Sequence, residues 1–186
     1  TAVGTVLSLL VTAMAAYALS GKKLKYRNVV NFFFYFTMLF SGGLIPYYIL
    51  IKNYLHLSNT LLVYIVPGMF NVWNMFLLRN FFNEIPAALR ESACIDGASE
   101  IVTAFRIILP LSLPALATIG LFSALAYWNE WMASMLYIDN PKLYTLQYLI
   151  VRMVNSISAA SNLGQSGLPP GITSVPANTL RLATAI

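Results

Sequence analysis

Long apolar runs separated by short polar segments dominate the chain. Residues 1–19, 29–51, 60–78 and 113–138 are each apolar over about the 20 positions that a membrane-crossing helix needs. A fifth run begins near Pro176. No period-two alternation competes with these runs, and backbone that cannot reach water in lipid defaults to helix. The pattern predicts an all-α, polytopic transmembrane bundle with four full spans and the start of a fifth. Residues 1–186 read as one domain, truncated at both ends: Thr1 opens directly into an apolar run, and the last run stops at Ile186, short of a span.

Two spans carry breaks. Ser41-Gly42-Gly43 with Pro46 interrupts the second, and Pro67-Gly68 the third. Such sites are either packing kinks or places where freed backbone lines an aqueous path. Loop charge sets the orientation. Lys22, Lys23, Lys25 and Arg27 lie in the first loop and Arg79, Arg90 and Arg106 in the third, seven of the eleven Lys and Arg. These loops share a side by parity, and the positive-inside bias makes that side cytoplasmic. Residues 52–59 and 139–174 then face outward, the latter with an amphipathic helix over 143–157 and a Gly/Pro/Ser-rich tail at 164–176.

Composition agrees. The chain is 59% hydrophobic and 9% charged, with a mean hydropathy of +0.72, against about 25% charged in soluble domains. A formal charge of +5 reads as cytoplasmic loops facing anionic lipid, not as a nucleic-acid surface. Cys94 is the single cysteine, so neither an intrachain disulfide nor a cysteine metal cluster can form.

The polar island at 83–110 stands apart from the spans. Asn83 is expected to cap a first short helix, with Pro86 in its first turn and Ile85, Leu89, Ser92 and Ile95 at helical spacing. Asp96-Gly97 reads as a turn. Ser99 is expected to cap a second helix, Glu100 favours its positive end, and Ile101, Phe105 and Ile108 make one face before Pro110 ends it. Ala87, Ala88, Ser92 and Ala93 give a small, flat surface that fits a partner's groove, and Glu91 offers a carboxylate. A helical loop packed on its own protein remains the alternative.

Glu91-Ser92-Ala93, Asp96-Gly97-Ala98, Phe105, Ile107, Leu109-Pro110 and Pro114 resemble, in identity and spacing, the E-A-A…D-G-A…I-x-L-P motif of the membrane subunits of ABC importers. Ser92 replaces the usual first Ala. Phe40–Pro46 (F-S-G-G-L-I-P), Tyr127-Trp128-Asn129-Glu130-Trp131 and Leu136–Lys142 (L-Y-I-D-N-P-K) are similar to the carbohydrate-importer, maltose-type (type I) branch, and within it to permeases for oligosaccharides and uronate-containing polysaccharide fragments. The resemblance implies a multi-pass subunit of a bacterial cell membrane that imports sugar and hydrolyses nothing itself. Glu91, Ser92, Ala93, Asp96, Gly97 and Ala98 would couple to the ATPase. The implied partners are a second permease subunit, two ATP-binding subunits that carry ATP and Mg, an extracytoplasmic solute-binding protein, membrane lipid and a carbohydrate. No cofactor is expected on this chain and no nucleic-acid partner.

Glu130 is an acid inside the fourth span, roughly 12 Å from its outer end at 1.5 Å per residue. A mid-bilayer carboxylate costs about 2.5–3.5 kcal/mol on insertion scales, so it needs a polar cavity or a neighbouring-helix partner. Tyr127, Trp128, Asn129 and Trp131 surround it, Ser134 shares its helical face, and Asn74, with Trp73, approaches from the third span. Aromatic faces beside amide and carboxyl groups suit a sugar, although an acidic sugar would be repelled by Glu130. The tryptophans alternatively form an interfacial belt. His56 is assigned no role.

Rival readings are a secondary carrier using Glu130 as its ion site, an importer of a non-sugar solute, and a structural membrane anchor. No phosphate-binding loop, nucleophile–base pair or metal-spaced cluster appears in the sequence.

Overall fold

The structure, a computed structural model, describes residues 1–21 and 24–167, with side chains through Ser158. It is helical, with no strand among the described residues. Helix α1 (Ala2–Ser20) is the central element and packs against both α5 (Val72–Glu84) and α9 (Leu113–Trp128). The reason is written on one face of α1. Gly4, Ser8, Thr12, Ala16 and Ser20 fall at every fourth position and all are buried. Helices in lipid gain little from hiding apolar groups on each other, so close backbone approach through small residues supplies the contact. Ala13, Ala16 and Leu19 then meet Met75, Leu78, Phe82, Ile108 and Ile119 in the main core.

The other spans are broken. Helix α2 (Arg27–Leu39) and α3 (Leu44–Ile49, prolonged by a π turn at Leu50–Tyr54) meet at a bend of 108°. Gly43 takes φ +84 there, and its N–H donates to Ser41 Oγ at 3.3 Å. Between α4 (Leu62–Ile65) and α5 the Pro67-Gly68 break occurs as expected, and Asn71 restarts the helix by accepting the Asn74 N–H at 3.0 Å. Among the described residues, α1 alone is a straight helix long and apolar enough to cross a membrane, with two more crossings if each bent pair is one span.

The fourth expected span departs from its prediction twice. Helices α6 (Ala87–Ile95), α7 (Glu100–Thr103, followed by a π turn at Ala104–Ile108) and α8 (Leu109–Leu111) precede α9. Pro110 does not end the second island helix. The chain continues to Leu111 and turns by 83° at Ser112, whose hydroxyl donates to the Ile108 carbonyl at 2.8 Å. At its outer end, α9 stops at Trp128 and α10 (Met132–Tyr137) begins anew, so Glu130 lies in a break and not within a continuous helix. The sequence has no Gly or Pro there. The Asn129 side chain donates to the Leu125 carbonyl at 2.9 Å and Glu130 Oε1 accepts the Ala133 N–H at 2.8 Å. The Leu125 carbonyl also accepts the Asn129 N–H, so the Asn129 side chain reinforces the end of α9, while Glu130 serves a freed N–H at the start of α10.

Beyond a short 3₁₀ turn at Pro141–Leu143, α11 spans Leu146–Gly167, longer than the amphipathic helix expected over 143–157. The rest of the Gly/Pro/Ser-rich tail and the run after Pro176 lie outside the described residues. The loops sort to two ends. Arg79 Nε donates to the Leu19 carbonyl at 3.1 Å, joining the ends of α1 and α5 beside the basic segment. At the opposite end Asn59 Oδ1 accepts from the backbone N–H of Asp139 and Asn140, and its amide donates to Asp139 Oδ2 at 3.1 Å. Both loops expected outside therefore meet, away from the basic end.

One contact makes the close packing testable. A Cβ on Gly4 would lie 2.8 Å from the Tyr127 ring, and one on Gly68 would lie 3.1 Å from it. Gly4→Ala is expected to destabilise the protein by about 1–3 kcal/mol through overpacking. Thermal melting of the detergent-solubilised protein checks this, and Tyr127→Leu should recover most of the loss if that ring is the obstacle.

Candidate functional site

At the basic end, α6, a turn and α7 form a lobe. Asn83 does not cap it. Helix α5 runs through Asn83 to Glu84, and Ile85 is extended (φ −67°, ψ 128°) because the following Pro86 disfavours helical backbone there. Helix α6 begins just after Pro86. Its end follows the predicted turn: Gly97 has φ +74, and the Ala98 N–H reaches back to the Ala93 carbonyl at 2.9 Å. A left-handed residue after the last helical turn closes the helix in this way. Ser99 caps α7, its Oγ accepting from the Val102 N–H at 3.3 Å.

The lobe turns Ala93 inward, while Glu91, Ser92, Cys94, Asp96 and Gly97 are exposed, with Ala98 half-buried. Ile95, at 85% exposure, projects from it. The expected Ile101–Phe105–Ile108 face is split: Ile108 is buried but Ile101 is 72% exposed. The π turn between them adds a residue and rotates the register. Ile95 and Ile101 are thus both exposed on the lobe.

The second feature is a cavity of about 240 Å³ in the half of the bundle away from the lobe. Three helix breaks contribute to its wall, the bend at Ser112 not among them: Leu44 and Tyr47 after the first, Pro67, Gly68 and Asn71 at the second, Glu130 and Met132 at the one between α9 and α10. Of the residues singled out by sequence, Tyr127, Glu130 and Asn74 converge here. Trp128, Asn129 and Trp131 are not in its wall, and Trp128 is exposed on the end of α9. Trp73 is likewise exposed on α5. Ser134 is fully buried behind the wall, within hydrogen-bond distance of Tyr64 Oη (2.7 Å) and Thr145 Oγ1 (3.0 Å).

Sequence reasoning missed Ser8, Tyr47, Tyr64, Ser123 and Tyr137, which also line the cavity. The small-residue stripe pointed to Ser8. The tyrosines sit on separate elements and gave no local signal. Phenol rings, hydroxyls and amides with one carboxylate can bond the hydroxyls and cover the apolar faces of a polyol. Glu130 holds its place by capping α10 with one oxygen.

The model of the family described as "Binding-protein-dependent transport system inner membrane component" matches residues 5–182. The chain belongs to that family. Its members are transport permease subunits, not enzymes, and lie in the inner membrane. The polygalacturonan/rhamnogalacturonan transport system permease protein YtcP of Bacillus subtilis is 40% identical over 100% of this chain and 64% of its own length. Protein LplC of the same organism is 41% identical over 91% of this chain and 58% of its own. A crystal structure of a bacterial ABC transporter involved in the import of the acidic polysaccharide alginate superposes with a TM-score of 0.82 at 29% identity, covering 98% of this chain and 64% of that one. The chain spans less than two thirds of the length of these proteins.

The turn yields an ordered prediction. A Cβ on Gly97 meets nothing within 4 Å, so only its positive φ resists substitution. Gly97→Asn should be nearly neutral, Gly97→Ala should lose about 1 kcal/mol, and Gly97→Val more. Melting temperatures of the three variants check that order.

Proposed function

We propose that this chain is the membrane-spanning subunit of an ATP-driven importer of oligosaccharides in a bacterial cell membrane. The lobe around Glu91–Gly97 would dock on a separate subunit that binds ATP and Mg. A second permease subunit would complete the path, and an extracytoplasmic binding protein would deliver the solute. The observation that carries this reading is the exposed two-helix lobe at the basic end of a chain of this family. A secondary carrier has no use for such a lobe, and a structural anchor has no use for a largely apolar cavity with a few polar groups where three broken helices meet.

The cargo reading rests on the cavity and on the relatives. One relative is named for polygalacturonan and rhamnogalacturonan, and the aligned structure for alginate import. The permease AmyC of Thermoanaerobacterium thermosulfurigenes, 30% identical over 92% of this chain and 65% of its own length, is named for starch degradation products. A polysaccharide fragment fits this set. Glu130 would face hydroxyls of such a chain, since a uronate carboxylate beside it would be repelled.

Reconstitution in proteoliposomes tests the proposal. The transporter, with ATP trapped on the face of the Glu91 lobe and the binding protein on the other, should accumulate labelled oligogalacturonide. Uptake should vanish without ATP or without the binding protein. Uptake driven by a proton gradient and indifferent to ATP would establish the carrier instead.

A further inference from the structure

The importer reading leaves one cluster unused. Arg90 is half-buried on the inner side of the lobe, beside a groove of about 820 Å³ between the end of α1 and the α6–α7 pair. Its Nη2 donates to Ser20 Oγ at 3.0 Å and to the Phe82 carbonyl at 3.2 Å. Its guanidinium lies 5.3 Å from the centre of the Tyr17 ring. Phe82 is in the last turn of α5, where carbonyls lack helical partners and a cation is favourable. Tyr17 in turn donates its hydroxyl to Glu100 Oε2 at 2.9 Å, and Ser20 donates to the Tyr17 carbonyl at 2.8 Å. Four elements, α1, α5, α6 and α7, are therefore tied by two side chains.

We propose that Arg90 and Tyr17 form an internal strut that carries displacement of the lobe into α1 and α5, and that they are not part of the surface offered to the ATPase. The proposal rests on the importer reading above. The geometry separates two roles on one short helix. Ile95 is 85% exposed, outside the groove wall, and is available to a partner, whereas Arg90 is half-buried and donates to the ends of two spans. A planar guanidinium bonds two acceptors and stacks on a ring at once, and an ammonium does not. Moving the lobe then moves the small-residue helix on which α5 and α9 rest, and with it the cavity wall at Ser8.

ATP hydrolysed per labelled oligosaccharide imported is the readout, measured on the fully assembled, reconstituted transporter. Arg90→Lys and Tyr17→Phe are expected to retain the ATPase subunit but to raise that ratio about three- to tenfold, the range for one or two lost hydrogen bonds. Glu100→Gln keeps an acceptor for the Tyr17 hydroxyl and should stay near wild type. An unchanged ratio in Tyr17→Phe and Arg90→Lys, with wild-type uptake driven by ATP, overturns the strut alone. Loss of the ATPase subunit from Tyr17→Phe also overturns it, by placing the cluster in the docking surface. Wild-type uptake indifferent to ATP overturns the importer reading and the strut together.

Discussion

The arrangement depends on how α1 packs in a medium where apolar burial gives helices little reason to associate. Its stripe Gly4, Ser8, Thr12, Ala16 and Ser20 lets α5 and α9 approach closely enough for dispersion to hold them. The cavity and the lobe both hang from that one surface. Ser8 is in the cavity wall, and Ser20, three turns further on, accepts from Arg90 beneath the lobe. One straight helix thus connects the cavity to the lobe at the opposite end, and the spans around it are bent or broken.

The breaks follow a second constraint, that backbone freed within a membrane must find partners inside the protein. Each interruption has local ones. Ser41 accepts from Gly43, Asn71 accepts from Asn74, and Asn129 and Glu130 serve the two sides of the third break. Their meeting around one cavity concentrates the polar groups of Asn71, Asn74, Tyr127 and Glu130 in one wall. That concentration makes a path for a hydroxyl-rich solute physically tenable in a chain with so few charges.

Much of this was legible in the sequence wherever the signal is local. Asp96-Gly97 specified a left-handed turn, Ser99 specified a cap, and the glycines and prolines at 42–46 and 67–68 specified two breaks. Loop charges sorted the ends. The third break escaped because it carries no Gly or Pro; Asn129 and Glu130 bond the backbone on its two sides through their side chains. The split face of the second island helix escaped because a π turn has no residue signature. Tyr47, Tyr64 and Tyr137 joined Glu130 only through tertiary packing, and Trp128, two residues before Glu130 in sequence, is exposed at the end of α9.

The central claim is that the lobe lies in the cytoplasm and bears an ATP-hydrolysing partner. Cys94, the single cysteine, is exposed on that lobe next to Ile95. A photoactivatable cross-linker attached to Cys94 in the assembled transporter tests the claim most directly. The account predicts labelling of Cys94 by membrane-impermeant thiol reagents only in inside-out vesicles, and a cross-link to the ATPase subunit. Labelling from the outer face, or a cross-link to the solute-binding protein in place of the ATPase, would contradict it.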